Sequence, residues 1–539
     1  MTRRRISSAA LLVSSCLVLF ALAAWVPEPA GGAAPARRGG VLKYAMTQEP
    51  DTLDPARTAL AVANRAFMNI FDTLVYKTAD GKYHPGLAES WTISPDGKEY
   101  TFKLRRGVKF HDGTALDAEA VKFTFDRIVD PETKAGGARS ALGPYDSTAV
   151  VDAQTVKVRF KSAFAPFMDG LSAPTLSIVS PAAVKKWGTD FGQHPVGSGP
   201  FIFKEWVPKS HVIITRNPQY NWAPAIFKHQ GPPHLTEVRF NFVLEAGPRM
   251  ASLETGETNF IEAVQAQDLP RLQGNTKVSI LRAPIGGMPF SIMVNVKRTP
   301  TDDLKVRRAM TLGFNPQVVV NTLFKGIHER SYGPMARVQW GYDRAIESMY
   351  PFDQAKARAL LEEAGWKVGA GGIRVKDGRP LKVLMITQPG AKTEGLELIM
   401  QAQFKAIGID MEISHRDRAA GYAAYSVGEH HLAPIFLYVS EPHVMYYAFH
   451  SSNIGKGFNR TFYADKRLDE ALETGAATTD PASRLRLYSL AQRIVMDQAL
   501  IIPVYDQFAV YAVSRAVKEI RFDVRTYPWL FDAYVEGAN

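Results

Sequence analysis

Cysteine is almost absent from this sequence: Cys16 is the single cysteine among 539 residues. The chain beyond it can form no internal disulfide and has no thiol chemistry. Long apolar runs are equally scarce. After the run Leu11 to Trp25, no stretch approaches the roughly 20 apolar residues that a membrane-spanning helix needs. These absences exclude a disulfide scaffold and a multi-span membrane protein.

Signatures of catalysis and of nucleic-acid binding are also missing. The chain lacks GxSxG, HExxH, GxxxxGKS/T and GxGxxG, and no basic run is interleaved with aromatic residues. Gly197-Ser198-Gly199 is similar to a nucleophile turn, but Pro200 and the absent leading glycine favour a structural turn. We therefore expect no enzyme, no cofactor and no nucleic-acid partner, with a secreted hydrolase as the alternative.

The composition is that of an ordinary globular protein, with 46% apolar and 22% charged residues. A chain of 539 residues exceeds one hydrophobic core, so two or three domains are expected. The formal net charge is +11, which we interpret as a solvated basic surface. Attraction to an anionic solute or to anionic lipid are the functional alternatives.

Residues 1–36 have the pattern of a signal peptide. Arg3-Arg4-Arg5 precedes the apolar run, and Ala34-Pro35-Ala36 offers an A-x-A cleavage site. Two alternatives concern the route: a loose lipobox ending at Cys16 would give a lipoprotein, and Thr2 to Ile6 is similar to a twin-arginine signal. In each case we expect the mature protein outside the cytoplasmic membrane, in the periplasm.

Local patterns predict a mixed α/β chain. Turn residues at Ser94 to Gly97 precede a strand in which apolar and polar residues alternate, and Asp117 is suited to cap the next helix. Asp353 and Asp480 should cap two further helices, the second with an apolar stripe of Leu485, Tyr488, Ala491, Ile494 and Val495. Further strands are predicted at Val41–Met46, Thr155–Phe160, Val212–Thr215, Phe290–Asn295 and Ile501–Val513, with a Gly/Pro-rich break at Ala283–Gly287.

Several segments, in a fixed order, resemble the signature of one family. They are AESWTISPDGKEYTFKLRRGVKFHDG from Ala88 to Gly113, and the segments Gln48–Pro55, Gly197–Phe201, Arg216–Tyr220, Lys305–Ala309 and Tyr350–Trp366. The family is that of the family 5 extracellular solute-binding proteins, which are the binding components of oligopeptide, dipeptide and nickel importers. Its members capture a solute and carry out no chemistry of their own.

The resemblance implies an α/β, two-lobed periplasmic-binding-protein-like fold of class II, of the large type with an extra subdomain. The first lobe would comprise 37–285 and 506–539, with the extra subdomain at about 70–200, and the second lobe 286–505. Paired crossovers would act as hinges around a ligand cleft between the lobes. The implied partners are the solute and an ABC permease with its ATPase subunits, and we expect a monomer.

The sequence departs from the family pattern in the segment Phe436 to His443, where the resemblance places ligand specificity. Peptide-binding relatives carry an aspartate near this position that pairs with the α-ammonium group of the peptide; here Tyr438 or Val439 falls there. Glu441 could replace that aspartate through a charge-assisted bond. It could equally cap a helix that starts near Val444.

The resemblance leads us to assign further residues to the ligand cleft: Met46, Asn69, Gln388, Lys392, Tyr438, Ser440, His443 and Tyr446. For the tyrosines the alternative is a core position, and for Lys392 a solvated loop. His430, His431, His443 and His450 raise a metal hypothesis, although their spacing does not match a compact chelate. We expect a short peptide or peptide-like solute, with nickel or a metallophore, an oligosaccharide and an opine as alternatives.

Overall fold

The strand Val41–Met46 lies at the centre of a seven-stranded mixed sheet, with its apolar residues buried against helices. A computed structural model describes residues 39–58, 60–389, 393 and 395–537 of the chain. The predicted signal peptide, Cys16 and Lys392 lie outside these residues. In spatial order the strands are Val278–Pro284, Phe508–Ser514, Phe260–Glu262, Val41–Met46, Glu237–Phe242, His211–Arg216 and Phe201–Val207.

A second, six-stranded sheet is centred on Met288–Val294, all seven residues of which are buried. This strand is buried on both faces, which explains its uninterrupted apolar sequence. In spatial order the strands are Glu329–Arg330, Ile501–Asp506, Met288–Val294, Leu432–Leu437, Lys382–Thr387 and Asp410–His415. We call the part built on the seven-stranded sheet the first lobe and the part built on this sheet the second lobe.

The chain passes between the two sheets twice. It leaves the seven-stranded sheet after Pro284 and enters the six-stranded sheet at Met288, and it returns between Asp506 and Phe508. The two crossovers touch, because the amide of Ile285 donates to the carbonyl of Gln507 at 2.9 Å. The continuous strand predicted over 501–513 is therefore two strands in different sheets. The two-lobed α/β fold is confirmed, while the exact lobe limits stay a prediction.

A four-stranded antiparallel sheet carries the sequence segment that is most typical of the family. Its strands, in order, are Ala88–Ile93, Glu99–Leu104, Thr155–Phe160 and Tyr145–Asp152. The predicted turn is present, with the amide of Gly97 donating to the carbonyl of Ser94. The predicted alternation is also present, because Tyr100, Phe102 and Leu104 are buried in one core. Asp117 caps the following helix by accepting from the amide of Ala120 at 3.1 Å.

The helices follow the predicted capping pattern where a strong cap exists. Asp353 accepts from the amide of Lys356 and Asp480 from that of Ser483. The predicted stripe after Asp480 is wrong in one position: Leu485 is 40% exposed, because it lies beside the buried face rather than on it. The α-helices are Asn64–Ile70, Ala118–Val129, Gly137–Leu142, Phe167–Leu171, Pro181–Trp187, Ala246–Thr255, Leu269–Gln273, Leu304–Gly313, Pro316–Thr322, Gln354–Glu363, Leu396–Ala406, Arg418–Val427, Val444–Phe449, Lys466–Ala477 and Pro481–Asp497.

Short strand pairs complete the fold. They are Val75–Lys77 with Tyr83–Pro85, Val517–Lys518 with Tyr534–Val535, Arg521–Phe522 with Pro528–Trp529, and the three-stranded set Lys367–Val368, Arg374–Lys376 and Arg379–Pro380. None of the helices in the described part of the chain has the length and apolar content needed to cross a bilayer.

Candidate functional site

A cavity of about 740 Å³ lies between the two lobes, beside both crossovers. This volume is within the usual range of pockets for small ligands. The first lobe contributes Thr47, Arg65, Glu262, Arg525 and Tyr527 to its wall, and the second lobe contributes Phe324, His328, Tyr438, Ser440 and Tyr505. Ile285 and Gly286 come from the first crossover, and Phe508 is the residue at which the second crossover ends. Both lobes and the crossover segments therefore contribute to one site.

Stacked aromatic rings form the second-lobe wall. The ring of Tyr505 lies between those of Phe290 and His328, with 4.9 Å between centroids and 2° between planes on each side. Phe324 packs against Tyr505 with its centroid at 4.6 Å. Burial raises the pKa of Tyr505 well above its ordinary value. Its hydroxyl has no hydrogen-bond partner among the described residues.

Among the described residues, Tyr438 and Ser440 are the predicted site residues that line this cavity. Tyr438 is 49% exposed, and its hydroxyl donates to Oε1 of Gln507 at 2.5 Å, so it is tied to the returning crossover. Ser440 is buried, and its hydroxyl donates to the carboxylate of Asp169 at 3.0 Å. The strand Leu432–Leu437 ends immediately before these two residues and fixes their position at the cavity.

A buried carboxylate, Glu262, organises the first-lobe wall. Its Oε1 accepts from the backbone N and hydroxyl of Thr47 at 3.0 and 2.9 Å. Its Oε2 accepts from the hydroxyl of Tyr44 at 2.6 Å and from Nε of Arg65 at 2.5 Å. Burial alone would raise the pKa of Glu262, but the charge of Arg65 and these hydrogen bonds lower it. Glu262 is therefore ionised and paired.

A second charged cluster joins the two lobes. Asp169 accepts from Nζ of Lys77 at 2.6 Å and from Nη2 of Arg525 at 2.9 Å, besides the hydroxyl of Ser440. Lys77 also donates to the carbonyl of Ser440 at 2.7 Å. Burial opposes ionisation, yet the charges of Arg525 and Lys77 lower the pKa of Asp169 to about 2. Ser440 thus brings the second lobe into a charged socket of the first.

Glu441 has internal partners in this structure. It is 2% exposed, and its carboxylate accepts from Arg484 and from the amide of His443, at the start of the helix Val444–Phe449. The N-cap residue of this helix is His443 and no side chain caps it, so Glu441 is held by Arg484 and one turn amide rather than by a capping role. Pairing with a cationic group of the solute would require Arg484 to be displaced, and that interpretation stays a prediction.

The other predicted cleft residues are placed as follows. Met46 is buried at the end of its strand, and Asn69 is buried between the carbonyl of Arg65 and the amide of Leu530. His443 is buried, with its ring stacked on that of Tyr446 at 4.8 Å. Gln388 is half-buried. None of these side chains lines the cavity described above. Their role in binding stays a prediction.

The clustered histidines have structural partners. His431 accepts from the amide of Leu384 at its Nδ1, and its Nε2 lies 3.1 Å from the carbonyl of Thr299. Nε2 of His430 lies 2.8 Å from the carbonyl of Arg460. Burial lowers the pKa of both His430 and His443 to about 4. Within the described ranges, no three metal-ligating side chains come together.

Sequence reasoning missed Arg65, Glu262, Tyr505 and Phe508. Arg65 is the one charged residue of the helix Asn64–Ile70, and its partner lies 197 residues away. A signal did exist for Glu262, because it ends the fully buried strand Phe260–Glu262, and a buried carboxylate needs partners. For the aromatic residues the strand pattern alone indicated only burial.

Comparisons with known proteins agree with the family resemblance seen in the sequence. The family model "Bacterial extracellular solute-binding proteins, family 5 Middle" matches residues 82–456. Glutathione-binding protein GsiB of Escherichia coli (strain K12) is 30% identical over 482 residues, covering 86% of this chain and 88% of that protein. This match extends over both lobes.

Two solved structures share the fold. NikA from Brucella suis, in complex with Fe(III)-EDTA, has 25% identity and a TM-score of 0.81, covering 92% of this chain and 100% of that chain. The periplasmic binding protein DppA from Helicobacter pylori, in complex with the peptide STSA, has 25% identity and a TM-score of 0.72, covering 93% and 99%. The chain therefore belongs to the family 5 bacterial extracellular solute-binding proteins, the non-enzymatic substrate-binding components of ABC importers.

Proposed function

We propose that this protein captures a short peptide or peptide-like solute in the cavity between its lobes and delivers it to an ABC permease. The observation that carries the proposal is the cavity itself, which has walls from both lobes and from both crossovers. A site of this kind changes shape when the lobes move, so solute binding and lobe closure are coupled. The coupling gives the permease a bound state to recognise.

The wall of the cavity supports a peptide-like solute. Aromatic rings from Phe324, Tyr438, Tyr505 and Phe508 offer apolar contact, while Thr47 and Arg65 offer polar groups that can orient a backbone. The similarity to a glutathione-binding protein over most of the chain points in the same direction. The described histidines do not favour direct metal binding.

Calorimetry on ligand-free protein would test this proposal. The chain from Arg37 onward would be purified, unfolded in guanidinium to release retained solute, and refolded. Glutathione, a pool of di- and tripeptides, Ni²⁺, an oligosaccharide pool and an opine would then be titrated separately. Micromolar or tighter binding of a peptide supports the proposal; binding confined to any of the other three classes contradicts it.

We also propose that residues 1–36 direct export and are then removed, leaving a monomer in the periplasm. The three arginines, the apolar run and the A-x-A site support this. N-terminal sequencing of the exported protein should begin near Arg37. An acylated Cys16 at the N-terminus would instead establish a lipoprotein.

A further inference from the structure

The carboxylate of Glu262 has no free position for a ligand. It accepts four hydrogen bonds, two at each oxygen, from Thr47, Tyr44 and Arg65. A carboxylate offers about four lone-pair positions. Although Glu262 is an acidic residue in the cavity wall, it therefore orients a neighbouring side chain and does not bind a cationic group of the solute.

That neighbour is Arg65, whose guanidinium is only partly used. Its Nε donates to Glu262, and its Nη1 donates to the carbonyl of Ala61 at 3.2 Å. Among the described residues, nothing accepts a hydrogen bond from Nη2. The side chain is 17% exposed and lines the cavity. Arg65 thus keeps a fixed orientation and unused N–H groups at the wall of the site.

The other cationic side chains of the cavity wall do not offer fixed, unused N–H groups as Arg65 does. Arg525 directs its Nη groups to Asp169 and Ser172. Lys325 is exposed, on a long flexible side chain. Glu262 is the one acidic residue that lines the cavity within the described part of the chain. The lining carries Arg65, Lys325 and Arg525 against this one carboxylate, so its charge favours an anionic over a cationic solute.

Aromatic neighbours strengthen the position of Arg65. Its guanidinium carbon lies 5.7 Å from the centroid of the Tyr527 ring, which supports the planar group from one side. Tyr527 accepts a hydrogen bond from Asn64 at its hydroxyl, so the ring is itself held in place. Apolar and aromatic surroundings reduce the screening of a charged hydrogen bond. A carboxylate that reaches Arg65 would therefore be bound strongly.

We propose that Arg65, oriented by Glu262, binds a free carboxylate group of the solute, and that the protein selects solutes that carry one. The inference rests on the proposed function and narrows it to peptides with an unblocked C-terminal or side-chain carboxylate. The planar guanidinium matches a carboxylate through two parallel N–H···O bonds, which a lysine ammonium cannot form. Arg65 is thus assigned as the carboxylate-binding residue of the cavity.

The first test compares ligands that differ only in this group. Glutathione and trialanine would be titrated as free acids, and against them glutathione diethyl ester and trialanine amide. Wild-type protein should bind the free acids at least about 30-fold more tightly, since an unmade bond to a buried charge weakens binding by this factor or more. Equal affinity for acid and blocked forms would overturn the inference.

The second test changes the protein without leaving a buried charge unpaired. The double variant Arg65→Met/Glu262→Gln removes both members of the pair. We expect the affinity for the free acids to fall by about 30-fold or more, to the level of the blocked forms, whose own affinity stays unchanged. Arg65→Lys should lose about tenfold, because it keeps the charge but not the planar donor pair.

Arg416→Met/Glu429→Gln is the matched control, because it removes an exposed bidentate pair outside the cavity. If the Arg65 and Glu262 double variant binds free acids as tightly as wild type, Arg65 has only a structural role and the inference is overturned. Succinate, citrate and Fe(III)-EDTA separate the two proposals. Binding of these through Arg65 without peptide binding would refute the peptide proposal alone, and no binding by any carboxylate would refute the inference.

Discussion

Two buried aspartates near the lobe boundary differ in how their charge is compensated. Asp169 receives Lys77, Arg525 and a serine hydroxyl, which lower its pKa to about 2. Asp506, at the end of the last second-lobe strand, has a buried Oδ1 without a partner among the described residues. Burial raises its pKa to about 7, although the amide and charge of Arg337 oppose the shift. The surroundings of Asp169 therefore stabilise its charged form, whereas those of Asp506 favour the protonated form.

Asp506→Asn should therefore change how stability depends on pH. From its ordinary pKa of 3.8 up to about 7, the folded state keeps a proton on Asp506 that the unfolded state has released. Folded wild type binds more protons in this window, so its stability falls as pH rises. We expect the variant to be more stable at pH 8 by a few kcal/mol, roughly 1.4 kcal/mol per pKa unit, and to differ little at pH 4. Urea unfolding between pH 4 and pH 8 measures this; parallel curves for the two proteins would contradict it.

Glu441→Gln tests the two roles considered for that residue. Removing the charge leaves Arg484 buried without its ionic partner, and such a loss costs about 3–5 kcal/mol. We expect a lower unfolding free energy by about 3 kcal/mol and a peptide affinity within threefold of wild type. Glu429→Gln, which breaks an exposed pair with Arg416, is the control and should cost less than about 1 kcal/mol. A sharp loss of affinity with unchanged stability would instead assign Glu441 to the solute.

At the scale of elements, local chemistry was predictable and sheet membership was not. Asp117, Asp353 and Asp480 cap helices as expected, because a cap depends on residues two or three positions away. The sequence predicts a single strand over 501–513, yet the chain changes sheets at Gln507. Both halves are apolar and extended, so the sequence does not mark the break between them. The pairing of Arg65 with Glu262 was beyond prediction for the same reason: it depends on tertiary contacts between distant segments.

Gly287→Ala should disrupt the first crossover. Gly287 has φ +104°, and an added Cβ would lie 2.2 Å from the carbonyl oxygen of Leu437. The backbone of a neighbouring strand cannot yield without breaking the six-stranded sheet. We expect a loss of more than about 3 kcal/mol, or no folded protein.

Gly231→Ala is the matched control for this change. Gly231 has a similar φ of +92°, but nothing lies within 4 Å of an added Cβ. Only the backbone strain remains there, and the expected loss is about 1–2 kcal/mol. Chemical denaturation of both variants gives the comparison. Equal losses would show that crowding at the crossover has no effect.

At the scale of the whole molecule, polar contacts join the two lobes. Ser440 reaches the socket of Lys77 and Asp169, and the amide of Ala165 donates to the carbonyl of Ala476 at 2.7 Å. We expect these contacts to break when the lobes separate. We expect the two short crossovers, which are joined by the bond between Ile285 and Gln507, to act as the hinge.

Ser440→Ala should favour the open state. Asp169 keeps Lys77 and Arg525, so the first lobe is unaffected, but the closed state loses a hydrogen bond to a charged group. We expect the affinity for a bound peptide to fall by roughly 5- to 30-fold, and small-angle scattering to show less compaction at a given peptide concentration. Ser147→Ala, at an exposed serine of the four-stranded sheet, is the control. Unchanged affinity would mean that this contact does not stabilise closure.

The strand Phe508–Ser514 has a consequence for the order in which the protein is made. It separates Phe260–Glu262 from Val278–Pro284 and pairs with both, although it is the last of the seven strands to be synthesised. Until it arrives, these two strands have open edges with nothing between them, while more than 200 residues of the other sheet emerge. A nascent chain of this topology cannot close its first sheet early. The core of the first lobe is therefore completed only when synthesis of the chain is nearly finished.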